Sequence, residues 1–191
     1  MSTFMNKAFV FIDGNNFYFK LKELSLQLGG KFSLLDFDFK RFCEWLVIPD
    51  SLADVRYYIG ALKRQRNSEK SEKMYADQQK LISRLQNKNI STVFGHLIQH
   101  PDKTFHEKGV DVKIAVEMIR YAREDKYDTA YLLSSDTDLV PAVEEVNSLG
   151  KKVCYVGIAK GQSFGLTKVS DDVRLLRPEE IKIFLPKSFL Q

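Results

Sequence analysis

The chain has 191 residues, 44% of them hydrophobic and 28% charged, the composition of a soluble globular protein able to bury a core of its own. Disorder, collagen and a coiled coil are excluded as descriptions of the whole. Lys and Arg outnumber Asp and Glu by 29 to 25, a net charge of +4, and with a pI near 8.9 this leans toward a polyanionic partner without establishing one.

Ala8 to Ile12 is apolar at every position, which predicts a strand covered on both faces. Asp13-Gly14-Asn15-Asn16 then signals a turn and a helix start. Phe17, Leu21, Leu24 and Leu28 form a stripe at helical spacing that Gly29-Gly30 stops. Residues 37–46 predict a helix with Pro49 beyond it, and 55–59 a strand rich in β-formers. A polar, mainly basic stretch (63–73) leads into a helix with Met74, Leu81, Ile82 and Leu85 on one side. Residues 92–98 read as a third strand, 101–109 as a loop and 110–122 as a helix. A strand follows at 129–133, a helix at 138–149 closed by Gly150, and a fifth strand at 153–156. A short helix from about Ser163 and a last β segment, 181–185, finish the chain. Strands alternating with helices of this length predict an α/β protein, a sandwich with a mainly parallel sheet, in one domain spanning 1–191.

Cys43 and Cys154 are too few for a disulfide framework and read as buried small hydrophobes in a reducing compartment. The first apolar run is too short, and broken by an acid, for a signal peptide. No stretch approaches the ~20 apolar residues of a membrane span. The expectation is a cytoplasmic protein with no membrane partner.

In an open parallel sheet the ligand site lies beyond the carboxyl ends of the strands. Asp13 follows the first strand, and Ser134-Ser135-Asp136-Thr137-Asp138 follow the 129–133 strand, so these acids are expected at one edge. Asp111 continues the inward stripe of the 110–122 helix toward its start. Each has a plainer reading. Asp13 alone reads as a helix cap, Asp138 as the cap that puts Pro141 in the first helical turn, and Asp111 as a cap about as readily as not. A set of acids without matched bases nearby in sequence favours a bound cation, and carboxylates with water and phosphate suit Mg²⁺. His96, His100 and His106 lack zinc-ligand spacing and read as surface residues.

Three collinear stretches, Phe11-Ile12-Asp13-Gly14-Asn15-Asn16, Lys108-Gly109-Val110-Asp111-Val112-Lys113 and Ser134-Ser135-Asp136-Thr137-Asp138-Leu139-Val140-Pro141, resemble NYN domains of the PIN-like nuclease superfamily, most closely the bacterial LabA-like group. The resemblance implies a PIN-like three-layer α/β/α sandwich and a ribonuclease hydrolysing RNA phosphodiesters with a metal-activated water. Asp13, Asp111, Asp136 and Asp138 would be the catalytic, metal-binding acids, with Mg²⁺ or Mn²⁺ as cofactor. Asn16 and Ser135 would orient ligands or substrate, and Asp171 matches a less constant acid of the family.

RNA, expected to be single-stranded, would meet cations around the acidic edge: Lys63, Arg64 and Arg66 after the second strand, and Lys103 and Lys108 before the helix of Asp111. Tyr57, Tyr58 and Trp45 read as core. Two rivals stand beside the nuclease: a non-catalytic RNA-binding or assembly module on the same scaffold, and a small-molecule phosphatase suggested by Asp136-Thr137-Asp138. The oligomeric state stays open, a homo-oligomer included.

Overall fold

A computed structural model of the chain describes residues 5–28, 33–62, 69–99 and 105–186. In chain order these form β1 (Lys7–Asp13), α1 (Gly14–Gln27), a 3₁₀ turn (Leu34–Asp36), α2 (Phe39–Leu46), β2 (Ser51–Ile59), α3 (Glu69–Gln86), β3 (Ser91–Phe94), β4 (His96–Gln99) and β5 (Phe105–Lys108). Then follow α4 (Val110–Arg123), β6 (Thr129–Leu133), a 3₁₀ turn (Thr137–Leu139), α5 (Val140–Ser148), β7 (Lys152–Ile158), α6 (Phe164–Val169), β8 (Asp172–Leu176) and α7 (Pro178–Lys182). Six strands build one sheet in the order β3-β2-β1-β6-β7-β8, with every pairing parallel. β4 and β5 pair with each other as an antiparallel hairpin.

The unbroken apolar run of β1 resolves into two faces, because side chains alternate along a strand. Ala8, Val10 and Ile12 join a core with Phe17 and Leu21 of α1, Phe42 of α2 and Leu81 of α3. Phe9 and Phe11 join a second core with Ile114 and Met118 of α4 and Val143 of α5. Helices thus cover both faces of the sheet, giving the three layers. Phe17 sits 5.5 Å from Phe42 and 5.9 Å from Phe37, ring to ring, contacts worth about 0.5–1.5 kcal/mol each beyond burial. They fix the start of α1, directly after Asp13. Tyr57 and Tyr58 are core residues, and Trp45 packs against the core with Arg174 over its ring.

Four elements depart from the sequence expectation. The 92–98 run is two strands: the chain leaves β2's edge at Gly95, and 96–99 pairs with 105–108, part of the stretch expected as loop. β2 starts at Ser51, four residues early, because β1 offers it partners from Lys7 onward. The helix expected from Asp138 starts at Val140 after a 3₁₀ turn. Residues 181–185 hold no strand; the last strand is 172–176, and Ile181 and Phe184 are buried at helical spacing from α7. Pro178 suits a first helical turn, and the Glu180 carboxylate accepts the Arg177 N–H at 2.9 Å.

Both cysteines are buried and unpaired, and burial pushes the Cys154 thiol up to about 12, which disfavours a thiolate nucleophile. Among the described residues no helix is long and apolar enough to cross a membrane.

Candidate metal centre

β1 and β6 are neighbours at the point where the strand order reverses, with β2 and β3 to one side and β7 and β8 to the other. A parallel sheet opens a crevice there, beyond its carboxyl ends. Asp13 ends β1, and the 134–138 segment leaves β6. Since Ile12 is in register with Leu133, the next step brings Ser134 beside Asp13. The Ser134 hydroxyl, fully buried, donates to Asp13 Oδ2 at 3.1 Å and accepts the Asp136 N–H at 3.2 Å. One hydroxyl thereby couples the two strand ends.

Asp136 turns the chain into the 3₁₀ turn, accepting the Asp138 N–H on Oδ1 at 3.0 Å. Asp138 does not cap α5, which starts after Leu139 with no side-chain cap; Asp136 caps the inserted 3₁₀ turn and leaves Asp138 inside it, exposed. Asp111 lies in the first turn of α4, where a negative charge suits the helix dipole. It is no cap: Gly109 stands at that position with φ 82°, a left-handed conformation that glycine adopts without strain. Carboxylate oxygens of Asp111, Asp136 and Asp138 all lie within 4.8 Å of one another.

Asp13 stands outside this trio. Its Oδ1 accepts the Asn16 N–H at 3.0 Å, so the plain capping role is real. Burial pushes its carboxyl above the ordinary value, and the nearby Asp136 charge adds to this, while the bonds from Asn16 and Ser134 oppose it. No ion pair joins any of the four acids to a described cation.

The residues fit a hard cation. Two oxygens on one Mg²⁺ sit at most about 4.2 Å apart, twice a metal–oxygen distance of ~2.1 Å. Oxygens no more than 4.8 Å apart come within that span by rotation of the exposed Asp138 side chain. Beside it, Asp13, Asn15, Asn16, Phe19, Lys20, Glu23, Ser135, Asp136, Lys160 and Gly161 line an open cleft of about 430 Å³. Asn16 Oδ1 is buried in this wall without a hydrogen-bond partner.

The sequence profile of the NYN domain matches residues 7–175, nearly the whole chain. The chain belongs to the NYN domain family. NYN domains form part of the PIN-like nuclease superfamily and act on RNA in general, and PIN-like nucleases typically use divalent metals. A crystal structure of a protein of unknown function from Vibrio parahaemolyticus is similar in fold, with a TM-score of 0.69 at 21% identity, covering 97% of this chain and 99% of that one. No curated protein matches the chain.

Of the orienting residues expected in this NYN domain, Asn16 and Ser135 line the cleft. Ser135 Oγ lies 2.8 Å from the hydroxyl of buried Tyr155, which also accepts the Ser163 N–H at 2.9 Å. Asp171 is at the wrong edge. It precedes β8, and its carboxylate accepts the Val153 N–H at 2.8 Å while its own N–H donates to Val153 O at 2.9 Å. Val153 is the second residue of β7, at the amino-terminal edge, so Asp171 joins the starts of two strands. The parallel run of β8 puts the whole sheet between it and the acids. Lys63, Arg64, Arg66 and Lys103 lie outside the described residues, as does His100. Lys108, Phe105, His96 and His106 are described by backbone alone.

Ser134 and Tyr155 were not singled out by motif. Only strand adjacency reveals the first, and only the β6–β7 pairing the second. Replacing Ser134 with Ala is expected to weaken Mn²⁺ affinity about 10- to 100-fold, the usual cost of losing a group that orients a ligand. Isothermal titration calorimetry measures this, and an unchanged affinity would show that the hydroxyl orients nothing.

Proposed function

We propose that this NYN protein is a divalent-metal-dependent ribonuclease cleaving single-stranded RNA, with Asp13, Asp111, Asp136 and Asp138 as its catalytic, metal-binding acids and Mg²⁺ or Mn²⁺ as cofactor. The supporting observation is the convergence of three carboxylates from two distant segments within 4.8 Å, with no described cation paired to them. Uncompensated acids so close repel one another, and a cation relieves that repulsion. A bound cation supplies water activation and shields phosphate charge.

The chain's own residues do the holding and orienting. Asp13, Asp111, Asp136 and Asp138 would hold the ion. Asp13, through Ser134, fixes the strand end from which Asp136 departs. Asn16 and Ser135 face the same cleft and would orient the phosphodiester. The resemblance of the three motifs supports placing the chain, within the same proposal, in the LabA-like group.

The test is incubation of 5′-labelled single-stranded RNA with the purified protein in Mn²⁺, Mg²⁺ or EDTA. Short products are expected with either metal and none in EDTA. RNA that is retained but intact in both metals would overturn the ribonuclease and favour a non-catalytic RNA-binding module.

A further inference from the structure

Outside the acid trio, the cleft beside it holds an aromatic ring and two cations that belong to neither core. Along α1, Asn16, Phe19, Lys20 and Glu23 recur at intervals of three and four and therefore share a face. The opposite α1 residues Phe17, Leu21 and Leu24 carry the packing against the sheet. Phe19 contributes nothing to either core and is 57% exposed, its ring 5.3 Å from that of Tyr18. Across the cleft, the loop after β7 presents Lys160 and Gly161.

Lys20 reaches over the cleft and donates to Gly161 O at 3.4 Å, a long bond that uses one of three ammonium donors. Lys160 is mostly exposed and pairs with Glu23 at 2.8 Å, the kind of surface pair that exchanges readily. Asp13, Asp136, the two cations and the exposed Phe19 ring line this one cleft, and its volume of about 430 Å³ suits a small ligand.

We infer that the cleft between α1 and the β7–α6 loop is a nucleotide subsite, in which Phe19 stacks a base of the RNA strand and Lys20, assisted by Lys160, holds the phosphate next to the acids. The inference rests on the ribonuclease reading and adds the path of its substrate. Three observations favour it. An exposed aromatic ring is a sequence-tolerant stacking platform. A positive group in one cleft with Asp13 and Asp136 lets a polyanion approach them. The wall of the cleft includes Asp136 itself, so a strand held there lies against the metal centre. The strand order puts this path on the β7 flank of the acids, with β2 on the other.

The experiment is fluorescence anisotropy with a labelled single-stranded RNA nonamer in EDTA, across a series of salt concentrations. Phe19→Ala is expected to weaken binding about 5- to 100-fold with an unchanged salt slope, and Phe19→Trp to restore it. Lys20→Met is expected to weaken binding and to lower the slope of log K against log salt by about 0.7, one phosphate contact on a single strand. Affinities and slopes equal to wild type in folded variants would overturn the subsite, as would a wild-type protein that binds no RNA. Hydrolysis of bis(p-nitrophenyl) phosphate by the wild type in Mn²⁺ reads the acids without the groove. Hydrolysis with insensitive RNA binding ends the subsite and leaves the ribonuclease; sensitive RNA binding without hydrolysis does the reverse.

Discussion

Asp136→Asn is expected to lower RNA cleavage by about two to three orders of magnitude, the scale of removing one group from a preorganised electrostatic site, and to abolish Mn²⁺ uptake in calorimetry. Asp136 is the acid that the trio and the cleft share. The replacement separates charge from fold. An asparagine oxygen can still accept the Asp138 N–H, and the backbone N–H still donates to Ser134. Removing one of several mutually repelling carboxylates also relieves Asp13, whose carboxyl the Asp136 charge helps to raise. The metal-free variant should therefore melt at the wild-type temperature or above it. Wild-type protein at 100 times its Mn²⁺ dissociation constant should gain about 2.7 kcal/mol of stability, and the variant should gain none. A variant that melts lower without metal would assign the lost activity to the fold. A variant that cleaves at the wild-type rate in clean preparations would end the proposal.

The strands that flank this site were legible because burial on both faces leaves an unmistakable mark: β6 occupies the expected residues 129–133, and β1 exceeds its expected run by one residue at each end. The parallel direction then followed from the intervening helices, and with it the meeting of Asp13 and Asp136 at one edge. What the sequence hides is register. Ser134 and Ser135 are indistinguishable as letters, yet pairing of Ile12 with Leu133 assigns one to Asp13 and the other to Tyr155. The β4–β5 hairpin was hidden for a related reason. Thr92 to Ile98 reads as one strand until Gly95 lets the chain leave the sheet, and the partner 105–108 carries no apolar run of its own. Asp171 failed differently: a motif position fixes an order along the chain, and only the run of β8 says which end of the sheet that position occupies.

Lys20 shows the limit of motif reading from the other side. It falls between the first motif and the next, in a helix whose apolar stripe accounts for its sequence pattern. Its significance comes from what lies across the cleft, the loop after β7, which is more than a hundred residues away in the chain. Burial lowers its ammonium below the ordinary lysine value, with the Glu23 and Asp13 charges acting against that shift.

Glu117→Ala is expected to cost about 2–4 kcal/mol, because it strips the acceptor from two partly buried donors at once. At roughly 2–4 °C per kcal/mol for a chain of this size, the melting temperature should fall by about 5–15 °C in scanning calorimetry. Glu117 lies on α4, and its carboxylate accepts from Arg56 Nε at 2.7 Å, from Arg56 Nη2 at 3.2 Å and from the Tyr58 hydroxyl at 2.6 Å. Arg56 and Tyr58 belong to β2, the Glu117 and Arg56 side chains are 16% and 15% exposed, and the Tyr121 ring lies 4.9 Å from the guanidinium. Burial, with the carboxylate beside it, holds the Tyr58 phenol above its ordinary value, so the phenol remains a donor. After truncation Arg56 keeps Asp54, at 3.3 Å, as its carboxylate partner among the described residues. Glu117→Gln retains an acceptor for the phenol and should recover part of the loss. The consequence reaches the metal centre because Asp111 arrives on the same helix, six residues earlier. Lys113, also on α4, adds a second tie by donating to Phe94 O at 2.5 Å. If the Glu117 clamp sets where α4 lies, Mn²⁺ affinity should fall together with the melting temperature in Glu117→Ala and recover with it in Glu117→Gln. A stability loss with unchanged Mn²⁺ affinity would show that Gly109, Lys113 and the apolar stripe of α4 position Asp111 without it.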